Sequence, residues 1–205
     1  MEAATPSPRD RRWSGVRVVL GLAAFMWILE VVDVVAGHRL DSYGIEPRDT
    51  DSLAGILAAP FLHAGFGHLL ANTIPFLVLG IVIALGGALQ VLGVTAIVAL
   101  VSGLGTWVIG PEQSIHIGAS GVVFGYATFL LTRGLFNRDL LQIVIGLVVG
   151  VLWGASLLAG LEPQEGISWQ GHLFGAVGGV LAARVLRRGR STDRARKPER
   201  LQGAA

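Results

Sequence analysis

Ser120 stands in Gly118-Ala119-Ser120-Gly121 at the head of an apolar stretch, and His172 heads another apolar stretch 52 residues later. A serine hydroxyl becomes a nucleophile when a neighbouring base takes its proton. Histidine suits that role because its pKa lies close to ambient pH. Intramembrane polar groups are costly and are mostly found where they do something, so the pair points to hydrolysis inside a bilayer. Acyl transfer also needs donors aimed at the developing oxyanion. Ser120 falls near a helix N-terminus, where backbone N–H groups lack an intrahelical partner. His68 and Asn72, spaced i, i+4, share one face of an earlier helix, and both side chains can donate hydrogen bonds. Taken singly, each has a plainer reading: a packing serine, an interfacial histidine, an asparagine bonded to another helix. Their combination at one depth favours catalysis.

The elements that would position them are membrane helices. Of the 205 residues 52% are hydrophobic and only 15% are charged, against about a quarter charged in a soluble domain. Mean hydropathy is +0.63. There is no cysteine, which excludes disulfides, thiolate catalysis and cysteine-ligated metals. Apolar runs are read at 16–36, 68–86, 89–109, 117–132, 140–159 and 171–186, each suited to a hydrocarbon core of about 30 Å. The first is too long, and too acidic late, for a cleaved signal segment, and is read as a retained helix. Gly86-Gly87 is read as the tight turn between the second and third. The expected architecture is an all-α membrane protein with a six-helix bundle over 16–187, a flexible tail over 1–15 and a basic tail over 188–205.

Charge orients this bundle. With both termini inside, 14 of the 16 Lys+Arg are cytoplasmic and only Arg39 and Arg48 lie outside, as the positive-inside rule requires. The basic tail is read as a topology signal able to touch anionic lipid, and nucleic-acid binding is not expected. Depth then follows by counting. Ser120 lies 13 residues above Arg133 and His172 lies 15 above Arg187, or ~20 and ~22 Å at 1.5 Å per residue. Asn72, counted from Gly86, comes out at ~21 Å. Gly121 and Gly125 below the serine, and Gly175 and Gly179 below the histidine, are small-residue stripes that let two helices approach backbone to backbone.

These residues resemble the rhomboid family of intramembrane serine proteases. His63-Ala-Gly-Phe-Gly-His68-Leu-Leu-Ala-Asn72 is similar to its HxxxxHxxxN, Gly118-Ala119-Ser120-Gly121 to its GxSG, and His172-Leu-Phe-Gly175-Ala-Val-Gly178-Gly179 to its HxxGxxxG. Tyr43-Gly44-Ile45-Glu46-Pro47 resembles the entry to the first outer loop of bacterial members. The resemblance covers 16–186. It implies Ser120 as nucleophile and His172 as general base. It implies an oxyanion site of His68, Asn72 and the backbone amides near Gly118 and Ser120, and a supporting role for His63. No cofactor or metal is implied. Two positions depart from the family. Phe124 replaces a frequent tyrosine that stacks on the histidine, and Ser52–Leu57 stands where a Trp-Arg pair is common.

The expected function is cleavage of transmembrane helices of membrane-protein substrates, in the plasma membrane of a bacterium. The alternative is a non-catalytic rhomboid-like protein that binds or escorts such helices, against which the intact Ser120 and His172 argue. There is no HExxH of the zinc type and no Gly-x-Gly-Asp of the paired-aspartate type. Glu30 and Asp33 are read as structural or interfacial. A transporter would want an internal repeat, and none is evident.

Overall fold

The computed structural model describes residues 7–187; the basic tail expected over 188–205 lies outside the described residues, as do residues 1–6. Among them the chain is all-helical, with no sheet and seven α-helices: α1 Pro8–Val35, α2 Gly55–Ala58, α3 Phe66–Ala84, α4 Ala88–Ile109, α5 Ser120–Asn137, α6 Leu140–Ala159 and α7 Trp169–Val185. Helix α1 starts earlier than hydropathy alone places it. Ser7 accepts the Asp10 N–H at 3.2 Å and Pro8 occupies the first turn. A capping side chain and a proline at N1 both favour helix initiation, so the helix runs on through polar residues before the apolar segment.

Other boundaries have equally local causes. Gly87, at φ 95°, reverses the chain between α3 and α4. Asp139 caps α6 by accepting from the Gln142 N–H at 3.2 Å. Arg138 ends α5 in the left-handed region at φ 53°. The segment between α1 and α3 holds short 3-10 turns and the four-residue α2.

Helices α1, α3, α4 and α6 are long and apolar enough to cross a membrane. Helices α5 and α7, of 18 and 17 residues, lie at the centre of the bundle. They pack on each other, with α4 against α7 and α6 against α5. The outer faces are apolar, as at Leu147, Val151 and Leu152 of α6. These are the helices of a multi-pass membrane protein.

Glycine sets the central contact. A Cβ on Gly175 would overlap the Gly121 carbonyl, and one on Gly179 would overlap the Gly125 carbonyl. Helices α5 and α7 therefore touch backbone to backbone, as small residues permit in lipid. Polar side chains tie the seam on both sides: Ser102 of α4 donates to the Gly171 carbonyl at 2.7 Å and Thr128 of α5 to the Ala176 carbonyl at 2.8 Å.

Candidate active site

Ser120 is the first residue of α5, and what aims it is the turn before it. Gly118 has φ 113°. A Cβ there would stand 2.7 Å from His68 Cε1 and 2.8 Å from Nε2. Both the backbone conformation and the closeness of His68 thus call for glycine. The turn is pinned from behind. The Gly118 N–H donates to the Ala59 carbonyl at 2.8 Å, and the Ala119 N–H to His63 Nε2 at 3.3 Å. Burial, and then the charge of nearby His68, hold His63 down to about 4. Its ring therefore stays neutral near pH 7 and Nε2 can accept.

His172 enters the site from the first turn of α7. Ser168 caps that helix by accepting from the Gly171 N–H at 3.3 Å. The imidazole is held at three points. Its Nδ1 is 2.7 Å from the Gly160 carbonyl and its Nε2 is 2.8 Å from Ser120 Oγ. The Phe124 ring stacks on it at 4.1 Å and 9°. A carbonyl oxygen can only accept, so Nδ1 carries the proton. Nε2 is then left with its lone pair facing the serine hydroxyl, the tautomer a general base requires. Phe124 supplies the stacking without a phenol, and the Gly160 carbonyl supplies the polar anchor.

The donors converge on the same space. His68, Asn72, Ser120, Phe124, Trp153 and His172 line one open cavity of about 1060 Å³. No backbone carbonyl accepts from the N–H groups of Ser120, Gly121 or Val122 in the first turn of α5. His68 Nδ1 accepts from the Ala64 N–H at 3.4 Å, which leaves the proton on Nε2. Asn72, buried, spends one amide hydrogen on the His68 carbonyl at 3.0 Å and keeps another. Gly118 differs from expectation: its amide points back to Ala59, away from the cavity, and its contribution is to make room for His68. The first-turn amides of α5 are the backbone donors left unspent beside Ser120 among the described residues.

Three contributors were not read from the sequence. Ser168 and His116 stand four residues before His172 and Ser120 respectively, and His116 joins the two segments physically. Its Nδ1 is 2.8 Å from Ser168 Oγ and its Nε2 is 2.9 Å from Ser114 Oγ. Burial lowers the pKa of His116 as well, so it acts as a neutral strut between the loop before α5 and the cap of α7. A serine immediately ahead of an apolar glycine-rich helix is an available N-cap signal for Ser168. The Gly160 carbonyl had no signal at all.

Comparison with known proteins agrees with the motifs. The Rhomboid domain model matches residues 50–189. An uncharacterized protein of Mycobacterium tuberculosis is 47% identical over 191 residues, covering 89% of this chain and 80% of that protein. Another uncharacterized protein, from Mycobacterium leprae, is 45% identical over 192 residues, covering 89% and 76%. A Bacillus subtilis protein named "Putative rhomboid protease YdcA" is 31% identical over 182 residues, covering 83% and 87%. With a family match over most of its length and long relatives at these identities, this chain belongs to the rhomboid family.

Proposed function

We propose that this protein is an intramembrane serine endopeptidase that cleaves transmembrane helices of other membrane proteins. The observation that carries the reading is the 2.8 Å contact of Ser120 Oγ with a His172 Nε2 whose opposite nitrogen is tied to the Gly160 carbonyl. Ser120 Oγ attacks the scissile carbonyl carbon while Nε2 takes the hydroxyl proton. The carbonyl oxygen becomes an oxyanion facing the first-turn amides of α5, His68 Nε2 and the remaining Asn72 amide hydrogen. His172 returns the proton to the leaving amine, and an acyl-enzyme remains. Water entering the cavity repeats the sequence and releases the acid. No third catalytic carboxylate is needed, because the Gly160 carbonyl orients the imidazole.

Helices α5 and α7 complete a six-span bundle with α1, α3, α4 and α6, with both termini cytoplasmic and the cavity opening outward. Substrate enters laterally beside α6, which packs chiefly on α5 and buries only Gln142, Gly146 and Val149. A substrate helix must unwind locally to offer its peptide bond, so small or helix-breaking residues near the cut favour cleavage. Because the chain has no cysteine, single introduced cysteines report each loop's side by their labelling.

The test is Ser120→Ala and His172→Ala against a reporter with a cleavable transmembrane segment, alongside a serine-reactive fluorophosphonate. Both variants should lose cleavage and labelling while keeping the wild-type Tm. Cleavage by folded Ser120→Ala at the wild-type rate refutes the proposal.

A further inference from the structure

A second cluster of ionisable side chains lies at the far end of α1, outside the serine–histidine site. Glu30 and Asp33 are one helical turn apart, share a face, and are each only 2% exposed. Gly37 and His38 both adopt positive φ, 70° and 59°, and so fold the chain back over the helix end. That reversal brings His38 Nδ1 to 3.3 Å from Asp33 Oδ2. It also brings the Leu40 N–H to 2.6 Å from Asp33 Oδ1. Asp41 follows, and one ligand atom each from Asp33, His38 and Asp41 all lie within 4.8 Å of one another.

The group is under-satisfied in one direction. Both Glu30 carboxylate oxygens, Asp33 Oδ2 and Asp41 Oδ1 are closed to solvent and make no hydrogen bond. The Gly65 amide lies near Glu30 without hydrogen-bond geometry. Glu30 stands one helical turn before Asp33, and its electrostatic neighbours are Asp33, Asp41 and His38. No lysine or arginine pairs with these carboxylates among the described residues. Like charges gathered out of water are costly unless paired or bound to a cation.

We infer that Asp33, His38 and Asp41 bind one divalent cation of the zinc type and so tie the end of α1 to the loop after it, with the buried Glu30 adding negative charge from one turn earlier. One imidazole with carboxylates is a borderline donor set, suited to zinc better than to calcium or magnesium, which take oxygen alone. Zinc holds oxygen and nitrogen ligands at ~2.0–2.2 Å. The three assembled atoms therefore need closure by about an ångström, which the loop residues His38 and Asp41 can make. The His38 side chain is 54% exposed and gives the ion its way in. The role is structural, and it does not depend on the protease reading.

The test uses untagged full-length protein in detergent, stripped with a chelator and titrated with Zn²⁺ alone. Calorimetry should give one ion per chain, and zinc should raise Tm by several degrees. Cobalt(II) in its place should give the visible bands of a four-coordinate site. Asp33→Asn endangers the fold, since Asp33 also holds the Leu40 amide, so the informative variants are His38→Ala and Asp41→Asn. Each should keep the Tm of the stripped protein and lose at least about tenfold in zinc affinity. Absence of saturable binding at one equivalent, or unchanged affinity in both variants, overturns the proposal. So does stabilisation of the stripped protein by mild acid with none by zinc, which would make the cluster a set of carboxylates sharing protons.

Discussion

Gly175→Ala should separate the two halves of the site without touching either reacting group. A Cβ at this position would overlap the Gly121 carbonyl and stand 3.1 Å from Gly121 Cα. Carbon to carbonyl oxygen contacts settle at ~3.3–3.6 Å. Backbone on both sides leaves no flexible side chain to yield, so α5 and α7 must part by about an ångström, the size of the overlap relative to that contact distance. The strain of overpacking is typically ~1–3 kcal/mol. The consequence for chemistry is larger. Ser120 stands one residue before Gly121 and His172 three before Gly175, so the parting is delivered to the 2.8 Å contact between them. A misplacement of that size costs about 10²-fold in rate. Gly154→Ala on α6 is the control, because a Cβ there meets nothing within 4 Å. The assay is reporter cleavage and fluorophosphonate labelling rate, read beside Tm in the same detergent. Gly175→Ala should fall about 10²-fold in both rates with a modest loss of Tm, and Gly154→Ala should match wild type. A Gly175→Ala protein that cleaves and labels at the wild-type rate refutes the claim that this seam sets the dyad.

Two further perturbations test the surroundings. Gly118→Ala forces an unfavourable φ, at about 1–3 kcal/mol, and drives a methyl against His68, 2.7 Å away. It should lower kcat with little change in KM while the Ser120–His172 pair stays intact; an unchanged kcat would remove His68 from the oxyanion site. His63 tests linkage with pH. Its folded pKa of about 4 lies below the ordinary 6.5, so between those values the unfolded chain binds the proton and the fold does not. Stability should therefore fall on acidification from about pH 6.5 to about pH 4, by up to roughly 3 kcal/mol at 1.36 kcal/mol per unit. His63→Gln should flatten that part of the Tm–pH profile, and an unaltered slope would show that another group carries it.

Helix positions were largely legible because apolar runs and glycine turns are local signals. Helix α6 begins at Leu140 and ends at Ala159, where composition places it. Helix α1 begins at Pro8, ahead of its apolar run, because Ser7-Pro8 is a local start signal that hydropathy does not register. At the site, side chains with distinctive chemistry declare themselves by type and spacing, as Ser120, His172, His68 and Asn72 do. Groups that act through the backbone do not. The Gly160 carbonyl that sets the His172 tautomer is an atom every residue carries, and only the fold brings it to 2.7 Å. The Gly118 amide was assigned by proximity to Ser120, but its direction depends on Ala59, 59 residues away. His116 and Ser168 belong to separate loops and meet only once α5 and α7 are packed.

The same packing explains why the site rests on the two helices least suited to face lipid. Helices α5 and α7 carry Ser120, Thr128, Gln170 and His172 together with seven glycines. Alone in hydrocarbon, such polar groups and bare backbone would be costly. In the bundle α5 is packed by α3, α4 and α6 and α7 by α4, all three of them long and apolar enough to span on their own. The covering is thinnest along α6, which buries few of its residues, and the cavity reaches Trp153 on that helix. Enclosure and access are thus divided between elements. The glycine seam holds Ser120 against His172 at the centre, while α6 packs on α5 and contributes nothing to that seam.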